Sequence, residues 1–215
     1  MAEVDDAGTG GDAGPDAPPG AVTVTFGEAP GTTFSGVTRD TFISGEPGET
    51  GFNYGVDDEL RIERDANERG LLAFDLTAIP PGVTVLAASL AVTVTELPAT
   101  ATSIEVSRIL EEWEEGTRSG SVGSASYIHR TSFIPWLIPG AGAPLSSSPA
   151  AGAFTPVLGR ASYPVPSALV QVWIDTPGAN RGALLVSTND DSTRFVSSEG
   201  SPAADRPVLT ITYLP

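Results

Sequence analysis

The chain has 215 residues, no Cys, no Lys and a formal net charge of -16. That balance excludes a disulfide framework and thiolate metal sites, and it makes nucleic acid and anionic membrane surfaces poor partners, because phosphate is held by clustered Lys and Arg. Hydrophobic residues at 40% can fill a core, and 24 Gly with 19 Pro suit short strands joined by turns.

Residues 1–20 carry Asp5, Asp6, Asp12 and Asp16 among Gly, Ala and Pro, with Val4 as the only bulky apolar residue after Met1. Such a segment has nothing to bury, and it is expected to be a flexible acidic linker. A linker of this kind is expected to follow an export signal or a lipid anchor upstream of Met1, which places the protein outside a bacterial cell or on its surface. No run of about twenty apolar residues occurs, so no membrane span is expected.

Residues 21–215 read as one β-sandwich domain. Val22 to Phe26 alternates Val and Thr, and Thr41 to Ile43 begins the next strand. Asp58 to Glu63 puts Leu60 and Ile62 on one face. Gly70 to Asp75 is almost wholly apolar, which predicts a central strand covered on both sides. Val83 to Thr95 sends Leu86, Ala88, Leu90, Val92 and Val94 one way, and Ile104 to Leu110 follows the turn at Pro98. Ala183 to Ser187, Arg194 to Ser197 and Val208 to Tyr213 complete the set. Period two throughout predicts an all-β, antiparallel sandwich. One short helix is expected over Pro166 to Asp175, capped by Ser167, with Leu169, Val170 and Trp173 on one face. The Gly-, Ser-, Ala- and Pro-rich stretch from Ser121 to Ala153 predicts a long loop system over the sandwich.

An ordered set of short segments carries a resemblance. Asp40-Thr-Phe-Ile43 is followed by Asn53-Tyr54-Gly55 and by RGLLAFDLTAIP at Arg69 to Pro80. W-x-E-G-T at Trp113 to Thr117 comes next, then A-S-Y-x-x-R at Ala125 to Arg130 and PW-x-x-PG at Pro135 to Gly140. VQVWID with Asn180-Arg181-Gly182, FVSSE at Phe195 to Glu199 and RPVLTITY at Arg206 to Tyr213 complete it. In this order, from Asp40 to Tyr213, the chain resembles the DNRLRE domain family of bacterial and archaeal surface proteins. One departure is Ser198, which stands where that family often has Arg or another polar residue. The resemblance implies a jelly-roll-like sandwich in a secreted or surface protein and, usually, a non-catalytic accessory role.

Catalytic chemistry finds little support in the residues. The single His, His129, sits in a loop-rich region, and no G-x-S-x-G element accompanies it. Glycoside hydrolysis needs two carboxylates, and Glu111, Glu112, Glu114 and Glu115 around Trp113 are the remote alternative. The expectation is therefore no enzyme. Trp136, Tyr54 and Phe52, in loop or turn contexts, are the candidates to stack on a sugar. A structural calcium is expected at Asp40, Asp57, Asp58 and Asp75, which lie at strand ends or turns and offer hard oxygens. The contiguous run Asp65 to Gly70 fails as a calcium loop because Arg69 replaces a ligand.

The function expected is a carbohydrate-binding accessory domain, its partner a polysaccharide or a cell-surface protein. The alternative is a structural or adhesive module that acts through protein–protein or self-assembly contacts, with Ala21 to Phe26 as a donor strand.

Overall fold

The computed structural model describes residues 18–36 and 38–215. The acidic linker expected over residues 1–20 lies outside the described residues up to residue 17. The chain begins with β1 (Val22–Gly27), β2 (Thr38–Ile43), β3 (Phe52–Asn53), β4 (Glu59–Ile62) and β5 (Arg69–Phe74). It continues through β6 (Thr84–Glu96), β7 (Ile104–Ile109), β8 (Ser121–Val122), β9 (His129–Thr131) and β10 (Ile134–Pro135). Next come β11 (Ser147–Phe154), β12 (Gly159–Pro164) and the helix α1 (Ser167–Asp175). The last strands are β13 (Ala183–Ser187), β14 (Thr193–Val196) and β15 (Val208–Leu214).

Two antiparallel sheets form the sandwich. One runs β1-β15-β6-β14-β4, with β12 also paired to β6, and the other runs β11-β7-β13-β5-β2. The chain changes sheet between β1 and β2, β2 and β4, β4 and β5, β5 and β6, β6 and β7, β11 and β12, β12 and β13, and β13 and β14. That alternation is the jelly-roll-like path.

The main core lies between the sheets and includes Phe26, Leu60, Leu72, Leu90, Ile104 and Phe195. Burying each such side chain contributes roughly 1.5–3 kcal/mol. The long β6 departs from strict alternation. Its partner register passes from Thr212↔Ala87 to Tyr213↔Val85, skipping Leu86. This bulge reverses the facing, so Val85 is buried and Leu86 only partly so.

β5 is covered on both faces, as its apolar run predicts. Leu72 and Phe74 enter the main core, whereas Leu71 and Ala73 enter a second cluster with Ile43, Trp113, Trp136 and Leu184. The segment between β7 and β11 lies over the outer face of that sheet and supplies both tryptophans. Its texture conceals β11, which pairs with β7 along Ser147–Phe154. The loop system is therefore shorter than the Ser121 to Ala153 expected.

Helix α1 buries Leu169, Val170, Trp173 and Ile174 in the main core. Ser167 is its first residue and does not cap it; Pro166 holds the cap position, with no side-chain hydrogen bond. β1 is paired along its whole length with β15, from Val22↔Tyr213 to Gly27↔Val208. It is thus consumed within its own chain and is not a loose donor strand. Among the described residues, no helix is long and apolar enough to cross a membrane.

Candidate functional site

Three carboxylates from distant parts of the chain meet at one open side of the sandwich. Asp40 lies on β2, at the edge of its sheet. Glu115 belongs to the segment after β7, and Glu199 to the turn after β14 in the opposite sheet. One oxygen from each lies within 4.8 Å of the others.

Asp40 is completely buried. Its Oδ2 accepts the Ser198 N–H at 2.8 Å, while its Oδ1 has no hydrogen-bond partner. The Asp40 N–H, facing outward from the edge strand, donates to Glu115 Oε1 at 2.6 Å. Among the described residues, no arginine forms an ion pair with any of the three acids. An acceptor left buried without a donor costs about 1–3 kcal/mol, and more when charged. Burial, followed by repulsion from Glu199, pushes the Asp40 carboxyl well above the usual carboxylate range. Burial lifts Glu115 to about 7 and raises Glu199 as well.

Local sequence explains how Glu115 reaches this place. The buried Asn53 amide donates to the Glu115 carbonyl at 2.6 Å and to the Ala125 carbonyl at 2.8 Å. Its Oδ1 accepts the N–H groups of Arg118 at 3.1 Å and Gly55 at 3.3 Å. Gly55 packs against the Glu115 carbonyl, where a Cβ would collide. Gly116 has φ +87 and packs against the Asn53 amide, so both its backbone shape and its space require glycine. Trp113, two residues earlier, anchors the segment in the second cluster and donates its Nε1–H to the Arg181 carbonyl at 2.7 Å.

On the other side, Ser197 Oγ accepts the Glu199 N–H at 3.1 Å and donates to the Asp57 carbonyl at 2.6 Å. Arg206 holds the turn by donating to the Gly200 carbonyl at 2.8 Å.

Of the expected calcium ligands, only Asp40 belongs to this group. Asp58 and Asp75 are exposed and Asp57 is half-buried, and none joins the convergent set. Asp75 closes its own turn by accepting the Thr77 N–H at 2.9 Å. Asp57 and Asp58 offer backbone carbonyls to Ser197. Sequence reasoning places Glu115 only among the carboxylates around Trp113 and does not single out Glu199. Both nonetheless stand in segments of the ordered set, W-x-E-G-T and FVSSE, and Asp40 opens a third. The acids of three separate segments meeting in order along the chain is the signal that could have found them.

The aromatics are placed otherwise than expected. Trp136 is only 3% exposed, sits in the second cluster and donates its Nε1–H to the Ser126 carbonyl at 2.9 Å. Tyr54 is also buried, stacked on Phe42 at 4.0 Å with its hydroxyl donating to Glu49 at 2.9 Å. Neither has a free face for a sugar. The loop of Trp136 folds inward because the outer face of β5 and β13 is apolar and needs covering, whereas Tyr54 is taken up by Phe42 of β2. Phe52 is half-buried on β3.

The Glu111–Glu115 run is divided by its partners. Glu111 pairs with Arg130, and Glu112 with Arg39 and Arg181. Glu114 accepts from Ser132 at 3.4 Å, and Glu115 alone turns to the buried cluster.

A cleft of about 360 Å³ opens beside β2, where α1 ends. Phe74, Leu76 and Trp173 supply apolar walls, and Arg39, Asp75 and Thr77 supply polar ones. Two polar atoms of residues bordering it, Trp173 Nε1 and Thr38 Oγ1, are buried and have no protein partner. Compared with protein-family models and with curated proteins, the chain matches none.

Proposed function

We propose that this chain is a non-catalytic accessory domain of an exported or cell-surface protein, and that it binds neutral polysaccharide. The observation that carries the reading is the cleft beside β2. Arg39, Asp75 and Thr77 at its mouth offer donors and acceptors to sugar hydroxyls and Pro177 an exposed apolar face, while the buried Phe74, Leu76 and Trp173 form its floor. The net charge of -16 directs the choice toward neutral over acidic polymers. The ordered resemblance to the DNRLRE family supports the accessory role and the extracellular address.

The test is binding to a panel of neutral and acidic polysaccharides by affinity electrophoresis, repeated with Asp75→Ala. Asp75 is exposed, so the variant is expected to stay folded. Saturable retention by a neutral polymer, weakened at least about tenfold in the variant, supports the reading. A folded protein that no polymer retains overturns it.

The second reading, a structural or adhesive module acting through protein–protein contacts, is favoured by a different observation. Phe133, at the turn between β9 and β10, is 77% exposed and held at φ +63, with Ile134 and Leu137 exposed beside it in sequence. Concentration-dependent association that disappears in Phe133→Ser favours this reading over the first.

A further inference from the structure

We infer that Asp40, Glu115 and Glu199 bind one divalent cation, calcium in preference to magnesium, and that this ion clasps the two sheets together. The inference stands apart from the saccharide reading and concerns a different place in the fold.

The first argument is geometric. Oxygens within 4.8 Å of one another can all touch a single ion, because calcium–oxygen distances are about 2.3–2.6 Å. The second argument is the unmet valence of Asp40. The residue is wholly buried, and its Oδ1 is without any donor although its Oδ2 and its backbone N–H are both used. A protein that buries a carboxylate ordinarily supplies a donor or an arginine. Here the residue is grouped with two more carboxylates, one oxygen of each acid lying within 4.8 Å of the others. Arg39 and Arg206 act on Glu115 and Glu199 through space but form no ion pair with them: Arg39 donates to the Trp113 carbonyl and to Glu112, and Arg206 to the Gly200 carbonyl. Glu28 adds further negative potential at Glu115.

The donor chemistry selects the ion. All three groups are carboxylates, the chain has no Cys, and its one His is not in the set, so soft and borderline metals find no preferred ligand. The three acids come from an edge strand, a loop and a turn, and an irregular set of this kind suits the flexible coordination of calcium better than the strict octahedron of magnesium. The mechanical role follows from topology. Asp40 and Glu199 belong to opposite sheets, and Glu115 belongs to the segment that Trp113 fastens over the outer face. One ion would join all three.

The experiment is calorimetric titration of chelator-treated protein with calcium chloride and with magnesium chloride, together with thermal unfolding. The expected result is about one equivalent of calcium bound, weaker magnesium binding, and a Tm rise of about 5–10 °C at a hundredfold excess over Kd. Glu199→Gln and Asp40→Asn are each expected to weaken calcium at least about tenfold, while Asp57→Asn leaves it unchanged. Asp40→Asn also removes a buried acid that is repelled by Glu199 and Glu115 when ionised, so in chelator it is expected to melt no lower than the parent protein. If Asp40→Asn does not fold, the half-buried Glu199→Gln carries the test alone. No heat and no Tm shift at millimolar calcium overturns the inference. Several weak equivalents that survive Glu199→Gln also overturn it, because they report general screening of an acidic surface.

Discussion

The N–H of Asp40 and the carboxylate of Glu115 are joined at 2.6 Å, although 75 residues separate them. The bond fixes a side chain from the loop after β7 against the free edge of β2, directly beside a buried carboxylate. Two acids are thus held close together by a contact that eases the charge of Glu115 and leaves that of Asp40 untouched.

That proximity has a pH signature in metal-free protein. Burial raises Glu115 from its ordinary 4.5 to about 7, and Asp40 and Glu199 are raised too. Between those pH values the folded chain holds more protons than the unfolded one. The stability contributed is therefore complete below about 4.5 and lost as pH rises through about 7. In chelator, Tm is expected to be several degrees higher at pH 5.5 than at pH 8, and Glu115→Gln should flatten the difference. A Tm that rises with pH over this interval counts against it.

Gly116 is a sensitive point for the same site. An alanine there meets both a left-handed backbone and the Asn53 amide. Gly116→Ala is expected to cost about 1–3 kcal/mol, a Tm loss of about 3–10 °C. Because the strain displaces Glu115, calcium affinity should fall as well. Unchanged unfolding and unchanged titration in this variant would show that the segment yields freely.

Trp136 should behave as a core residue and not as a ligand-binding one. Trp136→Ala is expected to destabilise by about 3–5 kcal/mol in urea unfolding, with polysaccharide retention lost only in proportion to the unfolded fraction. A stable variant with weakened retention would restore the ring to a binding face.

The strands were legible because period two is a local property. Leu60 and Ile62, or Leu90, Val92 and Val94, each declare their facing within a few residues. β11 was not legible, since Ser-Ser-Pro-Ala-Ala-Gly-Ala-Phe offers only Phe154 as a bulky anchor and belongs to an exposed edge. The bulge that buries Val85 and not Leu86 depends on the partner strand β15 and leaves no mark in β6 itself. Trp136 was misread because a loop has no period to report its facing. One clue was present: Leu71 and Ala73 are apolar on the face of β5 turned away from the main core, and such a face demands a cover that some neighbouring segment must provide. The acidic cluster stayed hidden for a simpler reason. Asp40 and Ser198 lie 158 residues apart, and only the crossing of the chain between sheets brings them together.

The two borders of the five-stranded sheet have a consequence for how copies of this protein behave in a crowd. Along β11 the pairing slips twice, between Ser147 and Ala150 and between Ala150 and Gly152, and Pro149 stands in that stretch. Along β2 the Glu115 carboxylate already occupies the outward Asp40 N–H. A foreign strand approaching either border meets an irregular ladder or a negative charge in place of a free row of donors and acceptors. These two borders of the sheet are thereby poor templates for runaway strand stacking.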